Sequence, residues 1–600
     1  MLNTEFYDIL DAELTQLVED NGFHPALKHK GIEKNKPFAL LLWFLRLYGR
    51  TFRYSQYITE GRGDSSCDII FDVEDAKKRK VYYVVQAKWN NKKNSSKKID
   101  TKEFKATLDD FRLVFLRKKG RTDNESFNEK YQELKQHIAK NGEVKFVYFA
   151  LCNVNPDVMD NAAAFESTYS TPIRILDINR IKRDYINFQY KQIIFDNPLE
   201  GNYLPNSEIV DLPIERLDID RNFLEINTLY PSHIFLIRPK VIFELFERYK
   251  HKLFFKNVRN PLNLSTVNDN MKATLEKEKE NFWYYNNGIT AITNGIIDNR
   301  INYTADSIKL DGFQIINGAQ TVHAVYEVYR KAPDAERDRL NRVIVLTLRL
   351  ITTTSDETVT KITKFTNSHN PLEDRDFRVN DEVQVRLQEA SFDTLYWYER
   401  RRGEFTNMPE DVTILSNKDG AVCYYYFTLY SAGKIGSFSP DKLEYSFLSF
   451  KEDKKGFYEE IFDEAITFKE LLAAYLLTKT AYPDFSVNDE DNDYKQVDLM
   501  VLPFARVMLE KYINALYEGR NLFDFIIESY EKNPTILKKI LAYTTKMCLE
   551  VNEDFGKNIT LKEHTNKYHF KLEAIEMTNE IIQEIEQIDL ENLSFQSQKI

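Results

Sequence analysis

The stretch GDSSCDIIFDVEDAKKRKVYYVVQAKWN, residues 63–90, decides the fold of the first part of the chain. CDIIFDV is rich in β-branched and aromatic residues, EDAKKRK is a charged turn, and VYYVVQAKW returns in the same apolar style. Two such runs around a short polar break predict an antiparallel hairpin. A turn centred on Lys77 sets position 68 opposite position 86. Opposite side chains then lie about 5 Å apart and diagonal ones about 7–8 Å apart. Gln86 and Lys88 are two apart, so they share a face of their strand. The pattern therefore predicts that Asp68, Gln86 and Lys88 converge, with Asp64 just ahead of them.

Working outward, residues 1–50 read as helices: EFYDILDAELTQLVEDNGF is amphipathic and KPFALLLWFLRLYG is apolar enough to be buried. Residues 101–117 and 125–140 look helical, and 144–154 and 171–178 look like strands. A Pro-, Asn- and Gly-punctuated stretch near 196–213 marks a boundary. Beyond it SHIFLIRP, FWYYNNGITAI, KLDGFQII and RVIVLTLRLIT read as strands, with helices over 319–331 and 356–366. From about 415 the pattern is helical, and 570–600 is a last helix or a frayed tail. The expected architecture is a multidomain α/β protein. Its expected parts are a restriction-endonuclease-like α/β domain over 1–195, a second α/β domain over 205–405 and a mostly helical region over 406–600.

Composition narrows the function. The 600 residues are 42% hydrophobic and 29% charged, which excludes wholesale disorder. A formal charge of −11 excludes a globally basic nucleic-acid coat protein, but not a local basic patch. The four cysteines, Cys67, Cys152, Cys423 and Cys548, form no CxxC pair, which suits a reducing cytosol. The first residues are acidic and lack an apolar signal region. The best apolar stretch, 38–45, is far shorter than the ~20 residues of a membrane span. The expectation is a cytoplasmic chain without membrane contact.

The trio has a chemistry. Asp68 offers hard oxygens suited to Mg²⁺ or Mn²⁺, and Gln86 a neutral oxygen ligand. Lys88 can position a metal-bound water or stabilise charge building on a phosphate. The same residues also suit an ordinary hairpin closed by an Asp68–Lys88 salt bridge. An Asp followed by a Gln-x-Lys strand resembles the PD-(D/E)xK nuclease core. The form G-D-S-S-C-D then Q-A-K is similar to its Mrr-type branch, with Ser65 and Ser66 where that branch usually has glycines. The resemblance implies that Asp68, Gln86 and Lys88 are active-site residues and Asp64 a neighbouring acid. It also implies an acid on an upstream helix, for which Glu13 and Glu19 are the candidates. Lys77, Lys78, Arg79 and Lys80, then Lys92, Lys93, Lys97 and Lys98, form either a phosphate-gripping arm or a solvated turn and loop.

A second constellation is rich in asparagine: NFWYYNNGIT (281–290), QIINGAQT (314–321), TNSHNP (366–371) and YERRRGE (398–404). Asn-Gly is first a turn signal. Asn317-Gly318 sits at a strand-to-helix junction, where free N–H groups favour anions. Carboxamides also pair with base edges. Arg259 and Arg400 to Arg402 would supply charge for phosphates. A nucleotide or nucleic-acid pocket would draw on Arg259, Asn286, Asn287, Asn317, Gln320, Thr321, Asn367 and Arg400. Turn-fixing asparagines account for the same residues. In this order, with Asn257-Val258-Arg259 ahead of them, the motifs over roughly 250–405 resemble the AIPR family of abortive-infection phage-resistance proteins. His369 stands where that family usually has Gln. Such proteins commonly carry a nuclease-like region ahead of this domain.

No histidine pair has zinc-ligand spacing, and neither a GxSxG elbow nor a Walker loop is present. The expectation is an antiphage endonuclease acting with Mg²⁺ or Mn²⁺. Its expected partners are nucleic acid, DNA ahead of RNA, a phage-derived trigger and a second copy of the chain. The alternatives are an inactive nuclease fold that binds RNA or a nucleotide, and a scaffold that recruits an effector.

Overall fold

The computed structural model describes residues 1–20, 31–49, 56–74, 80–94, 97–191, 199, 209–218, 220–257, 266–297, 304–366, 378–401, 403–428, 458–486, 501–555 and 574–590. The chain divides into two compact units. The first comprises residues 1–363 with 392–395 and 405–410; the second holds the remainder.

The first unit begins with α1 (Asn3–Asp20) and α2 (Ile32–Leu47), followed by the hairpin β1 (Ile69–Glu74) and β2 (Lys80–Lys88). Next come α3 (Thr101–Phe115), α4 (Glu125–Ala139), β3 (Glu143–Ala150), α5 (Pro156–Tyr169), β4 (Ile173–Leu176) and α6 (Ile178–Gln189). The sheet order is β1-β2-β3-β4. β1 and β2 are antiparallel and pair Ile69 with Val85, so position 68 faces position 86 as the turn predicts. β2, β3 and β4 run parallel. Both faces are covered, which is why the strands are apolar on both sides. On one face Phe44 packs edge-on to Phe71 and Phe149, and Trp43 lies against Phe149. On the other, Tyr82, Val84, Phe146 and Tyr148 meet Phe104, Phe111 and Phe127 of α3 and α4. Asp100 caps α3 by accepting from the Lys102 and Glu103 amides, and Asn124, Asn155 and Asp177 cap the next three helices.

The second half of this unit adds β5 (Val210–Pro213), β6 (Phe223–Asn227), β7 (Pro231–Ile237), α7 (Pro239–Tyr249), α8 (Thr266–Lys277), α9 (Phe282–Tyr285), β8 (Ile289–Thr293) and β9 (Gly295–Ile296). It continues with β10 (Ser307–Asp311), β11 (Gln314–Asn317), α10 (Ala319–Lys331), α11 (Asp334–Val343), β12 (Leu346–Thr352) and α12 (Asp356–Thr366). Five strands form a sheet in the order β11-β8-β12-β7-β6, and β5-β10-β9 form a smaller one. Phe235, Ile289, Ala291, Leu348 and Leu350 of the larger sheet share a core with Ile242, Phe246, Val322 and Tyr326 of α7 and α10.

The second unit is mostly helical. It contains α13 (Glu382–Ser391), a parallel strand pair β13 (Tyr396–Glu399) and β14 (Thr413–Ser416), and α14 (Asn417–Thr428). α15 (Tyr458–Ile461), α16 (Phe468–Ala481), α17 (Val501–Leu516), α18 (Leu522–Lys532), α19 (Thr535–Phe555) and a final described helix, Asn579–Gln587, complete it. α16 is buried along most of its length and belongs to this core, with Leu471, Leu476 and Leu477 fully buried.

One strand reading needs correction. FWYY is a helical turn, not a strand: only Phe282 is buried, and the strand starts at Ile289 after Gly288 turns the chain with φ 76°. The apolar run lacks the period-2 alternation of a strand. Both α/β halves fall in one compact unit, and α13 and β13 fall in the helical one. Tyr398 on β13 packs beside Phe468 of α16, a link invisible to local patterning. Among the described residues no helix is long and apolar enough to cross a membrane.

Candidate active site

The hairpin delivers Asp68, Gln86 and Lys88 to the face of the sheet covered by α3 and α4. Asp68 is 6% exposed. Its Oδ2 accepts from Gln86 Nε2 at 2.5 Å and from the Ala87 amide at 2.7 Å. Burial pushes the Asp68 carboxyl up to about 8; the Ala87 N–H and Lys88 oppose this, while Asp64 and Glu60 reinforce it. Lys88 makes its ion pair with Glu103, Nζ to Oε1 at 3.7 Å, rather than with Asp68.

The lead-in turn holds the neighbouring acids. Asp64 accepts from the Gly61 and Ser66 amides at 3.0 and 3.1 Å. Ser65 and Ser66 both adopt left-handed backbone, φ 59° and 58°, a conformation that glycine enters without strain. Ser66 Oγ donates to Asp110 at 2.6 Å, and Lys119 pairs with the same carboxylate. Tyr57 and Thr59 hydrogen-bond along β1, which carries Glu60 in beside Cys67 and Asp68. Burial raises the Asp64 and Glu60 carboxyls above their ordinary range; Asp64 raises Glu60 further, and Asp110 raises Asp64 against the Gly61 and Ser66 amides. Carboxylates crowded at a half-buried edge, with one lysine among them, favour a bound cation. Among the described residues, however, no three acidic, His or Cys side chains are already gathered as a metal cage.

The upstream acids lie elsewhere. Glu13 accepts from Trp43 Nε1 at 2.7 Å and from the Tyr185 hydroxyl at 2.6 Å. Trp43 rests on Phe149, whose register partner is Ala87, so Glu13 belongs to the sheet face opposite Gln86 and Lys88. Glu19 is exposed in the last turn of α1. The acids that do act on the trio are Asp64, Glu60 and Glu103. Glu60 could have been found from E-G-R-G-D, residues 60–64, which runs straight into the motif. Glu103 carried no local signal, because only the docking of α3 brings it to β2. Of the basic run, Lys92 pairs with Asp8 at 2.5 Å and Lys93, Lys97 and Lys98 are exposed. Lys102 and Lys105 of α3 extend that exposed group. Residues 77–79 lie outside the described residues.

The asparagine motifs serve the backbone. Asn286 Oδ1 accepts from the Gly288 amide at 2.8 Å, and its Nδ2 donates to Thr321 Oγ1 at 2.9 Å. Asn317 Oδ1 accepts from the Gly318 amide at 2.7 Å. A side chain at Gly288 would meet the Thr347 carbonyl at 2.5 Å, and one at Gly318 the Gly288 carbonyl at 2.9 Å. Asn287 is exposed, Gln320 half-buried and Thr321 buried. Trp283, Tyr284 and Tyr285 stand 47%, 79% and 66% exposed beside them. In the second unit Arg400 is engaged within the fold: Nε donates to Gln388 Oε1 at 2.8 Å and an Nη to the Val379 carbonyl at 2.5 Å. Glu404 secures the same turn by accepting from the Arg400 amide and Gln388. Arg259, Asn367 and His369 lie outside the described residues.

Comparison with known proteins gives one match. No curated protein and no solved structure matches the chain. The model of the AIPR protein family matches residues 254–592. The match takes in the Asn-rich motifs and runs on through the helical unit, well past residue 405, while residues 1–253 lie ahead of it. It covers more than half of the 600 residues, and the chain therefore belongs to the AIPR family.

Proposed function

We propose that this AIPR protein is an antiphage defence nuclease whose site is the face of β2 bearing Asp68, Gln86 and Lys88. Family membership suggests phage resistance by abortive infection. The observation that carries the nuclease reading is the register of the hairpin, which sets Asp68 against Gln86 with Lys88 on the same face. The donor set suits Mg²⁺ or Mn²⁺ held through one or two protein oxygens with water in the other positions. Asp68 and Gln86 would hold it, and the ion would supply a water acidic enough to attack a phosphodiester. Lys88 neutralises charge developing on the phosphate. Exposed Lys93, Lys97, Lys98, Lys102 and Lys105 offer contacts to a phosphate backbone, DNA ahead of RNA.

A second reading has its own observation. The exposed Trp283, Tyr284 and Tyr285 are rings on which unpaired bases stack, and Asn287 lies next to them. On that reading the first sheet is inactive and the central sheet binds nucleic acid or a nucleotide.

Cleavage of plasmid, linear DNA and RNA by the full chain, with Mg²⁺ or Mn²⁺ against EDTA, separates the two. The nuclease reading expects cleavage that EDTA abolishes and that Lys88→Ala and Asp68→Ala each lower by about 100-fold or more. Equal protection of cells against phage by wild type and Lys88→Ala would end it. Salt-sensitive binding that survives Lys88→Ala and fails in Trp283→Ala would favour the second reading.

A further inference from the structure

We infer that Glu103, in the first turn of α3, is the positioning residue for Lys88. The inference rests on the nuclease reading above.

Lys88 ends β2 with its side chain one-third exposed, and its ion pair is with Glu103. A long ammonium side chain left in water samples many rotamers, and a catalytic lysine must keep one. Two groups of carboxylates surround it. Asp68 and Asp64 act on it from the hairpin side, and Glu103 meets it from the helix side at 3.7 Å. Both hairpin acids are occupied: Asp68 takes the Gln86 and Ala87 donors, and Asp64 takes the Gly61 and Ser66 amides. Glu103 has no such duty. Its side chain is 62% exposed, and its ion pair is with Lys88.

Its placement is nonetheless firm. Asp100 caps α3 through the Glu103 amide itself, at 2.9 Å, and Phe104, the next residue, is buried edge-on against Tyr148. Tyr148 is the register partner of Gln86, and its phenol lies in the field of both Glu103 and Asp68. Cap, buried ring and strand register thus set the Glu103 backbone beside Lys88. Glu13 is unable to take this part, because its two oxygens are spent on Trp43 and Tyr185 on the opposite sheet face. An ion pair this exposed adds little to stability. Its consequence is where the ammonium stands relative to a phosphate held by the neighbouring lysines.

The test uses the full-length chain, supercoiled plasmid and Mg²⁺. Glu103→Gln keeps the size of the side chain and the Asp100 cap, so thermal melting should match wild type. The expected result is a kcat at least tenfold lower with a KM for DNA that is unchanged or lower, since one negative charge leaves a lysine-rich surface. Glu103→Asp should recover part of kcat. The double variant Lys88→Ala/Glu103→Gln should be no slower than Lys88→Ala alone. A wild-type kcat in Glu103→Gln would overturn the inference and leave the nuclease reading standing. So would a double variant whose losses multiply, or a loss that melting explains. A wild-type protein that cleaves no nucleic acid with Mg²⁺ or Mn²⁺ would remove both.

Discussion

At the end of β2 the polar side chains keep chemistry in reserve; at the start of α10 the backbone consumes it. Asp68 is buried with its carboxyl pushed up to about 8, and Lys88 on the same face is one-third exposed. Asn286 and Asn317 instead hand their oxygens to the Gly288 and Gly318 amides, so that two close-packed turns can form. Both regions show polar residues in a distinctive order. The difference lies in satisfaction: a carboxamide whose acceptor closes its own turn has little left for a ligand, whereas crowded carboxylates gain from any cation that joins them. In the second region the side chains left over are the exposed rings of Trp283, Tyr284 and Tyr285.

That contrast can be broken most directly through activity. Asp68→Ala and Lys88→Ala should each lower metal-dependent cleavage by about 100-fold or more. Asn286→Ala and Asn317→Ala should leave the rate of the folded protein within about threefold. Equal losses in both pairs, read in one plasmid assay, would erase the distinction.

The next effect is on pH. The folded Asp68 holds its proton up to about pH 8, far above an ordinary carboxylate. The folded state therefore binds more protons than the unfolded one across the window from about pH 4 to 8. Stability should fall as pH rises through that window, and Asp68→Asn should flatten the profile of melting temperature against pH. Mg²⁺ binding at pH 7 should release a proton, seen as a binding enthalpy that changes with the buffer. A profile identical in wild type and Asp68→Asn would contradict the burial argument.

Three smaller effects concern the turns. Gly288→Ala places a methyl group against the Thr347 carbonyl at a positive φ, and should cost about 3 kcal/mol in thermal melting. Asn286→Ala removes the acceptor of the Gly288 amide and leaves the Thr321 hydroxyl on the Met271 sulfur, for about 1–2 kcal/mol. Ser65→Gly relieves left-handed backbone at the hairpin lead-in, and should stabilise by about 0.5 kcal/mol after the added freedom of the unfolded chain is counted. Were Ser65→Gly to destabilise by as much as Asn286→Ala, the two turns would be under the same kind of constraint.

Much of the hairpin was legible. Alternation on either side of a charged turn is a local signal, and it set position 68 against position 86 without help from the rest of the chain. α2 and α16 were legible as helices for a similar reason, since each carries a long apolar run. The acids around the site were not. Glu13 and Glu103 are both helix residues of ordinary sequence context, and only the sheet face against which each helix packs separates them. Arg400 read as phosphate charge because a run of arginines looks solvated; in the fold its guanidinium spans Gln388 and Val379.

The sequence by itself determined the strand register, the convergence of Asp68, Gln86 and Lys88, and membership of the AIPR family, because each is written in residues close together along the chain or in long ordered motifs. Tertiary structure alone decided how deeply Asp68 is buried, which carboxylate meets Lys88, and which asparagines and arginines are already satisfied. Desolvation and partner choice depend on elements far apart in sequence meeting in space, and no local pattern encodes that meeting.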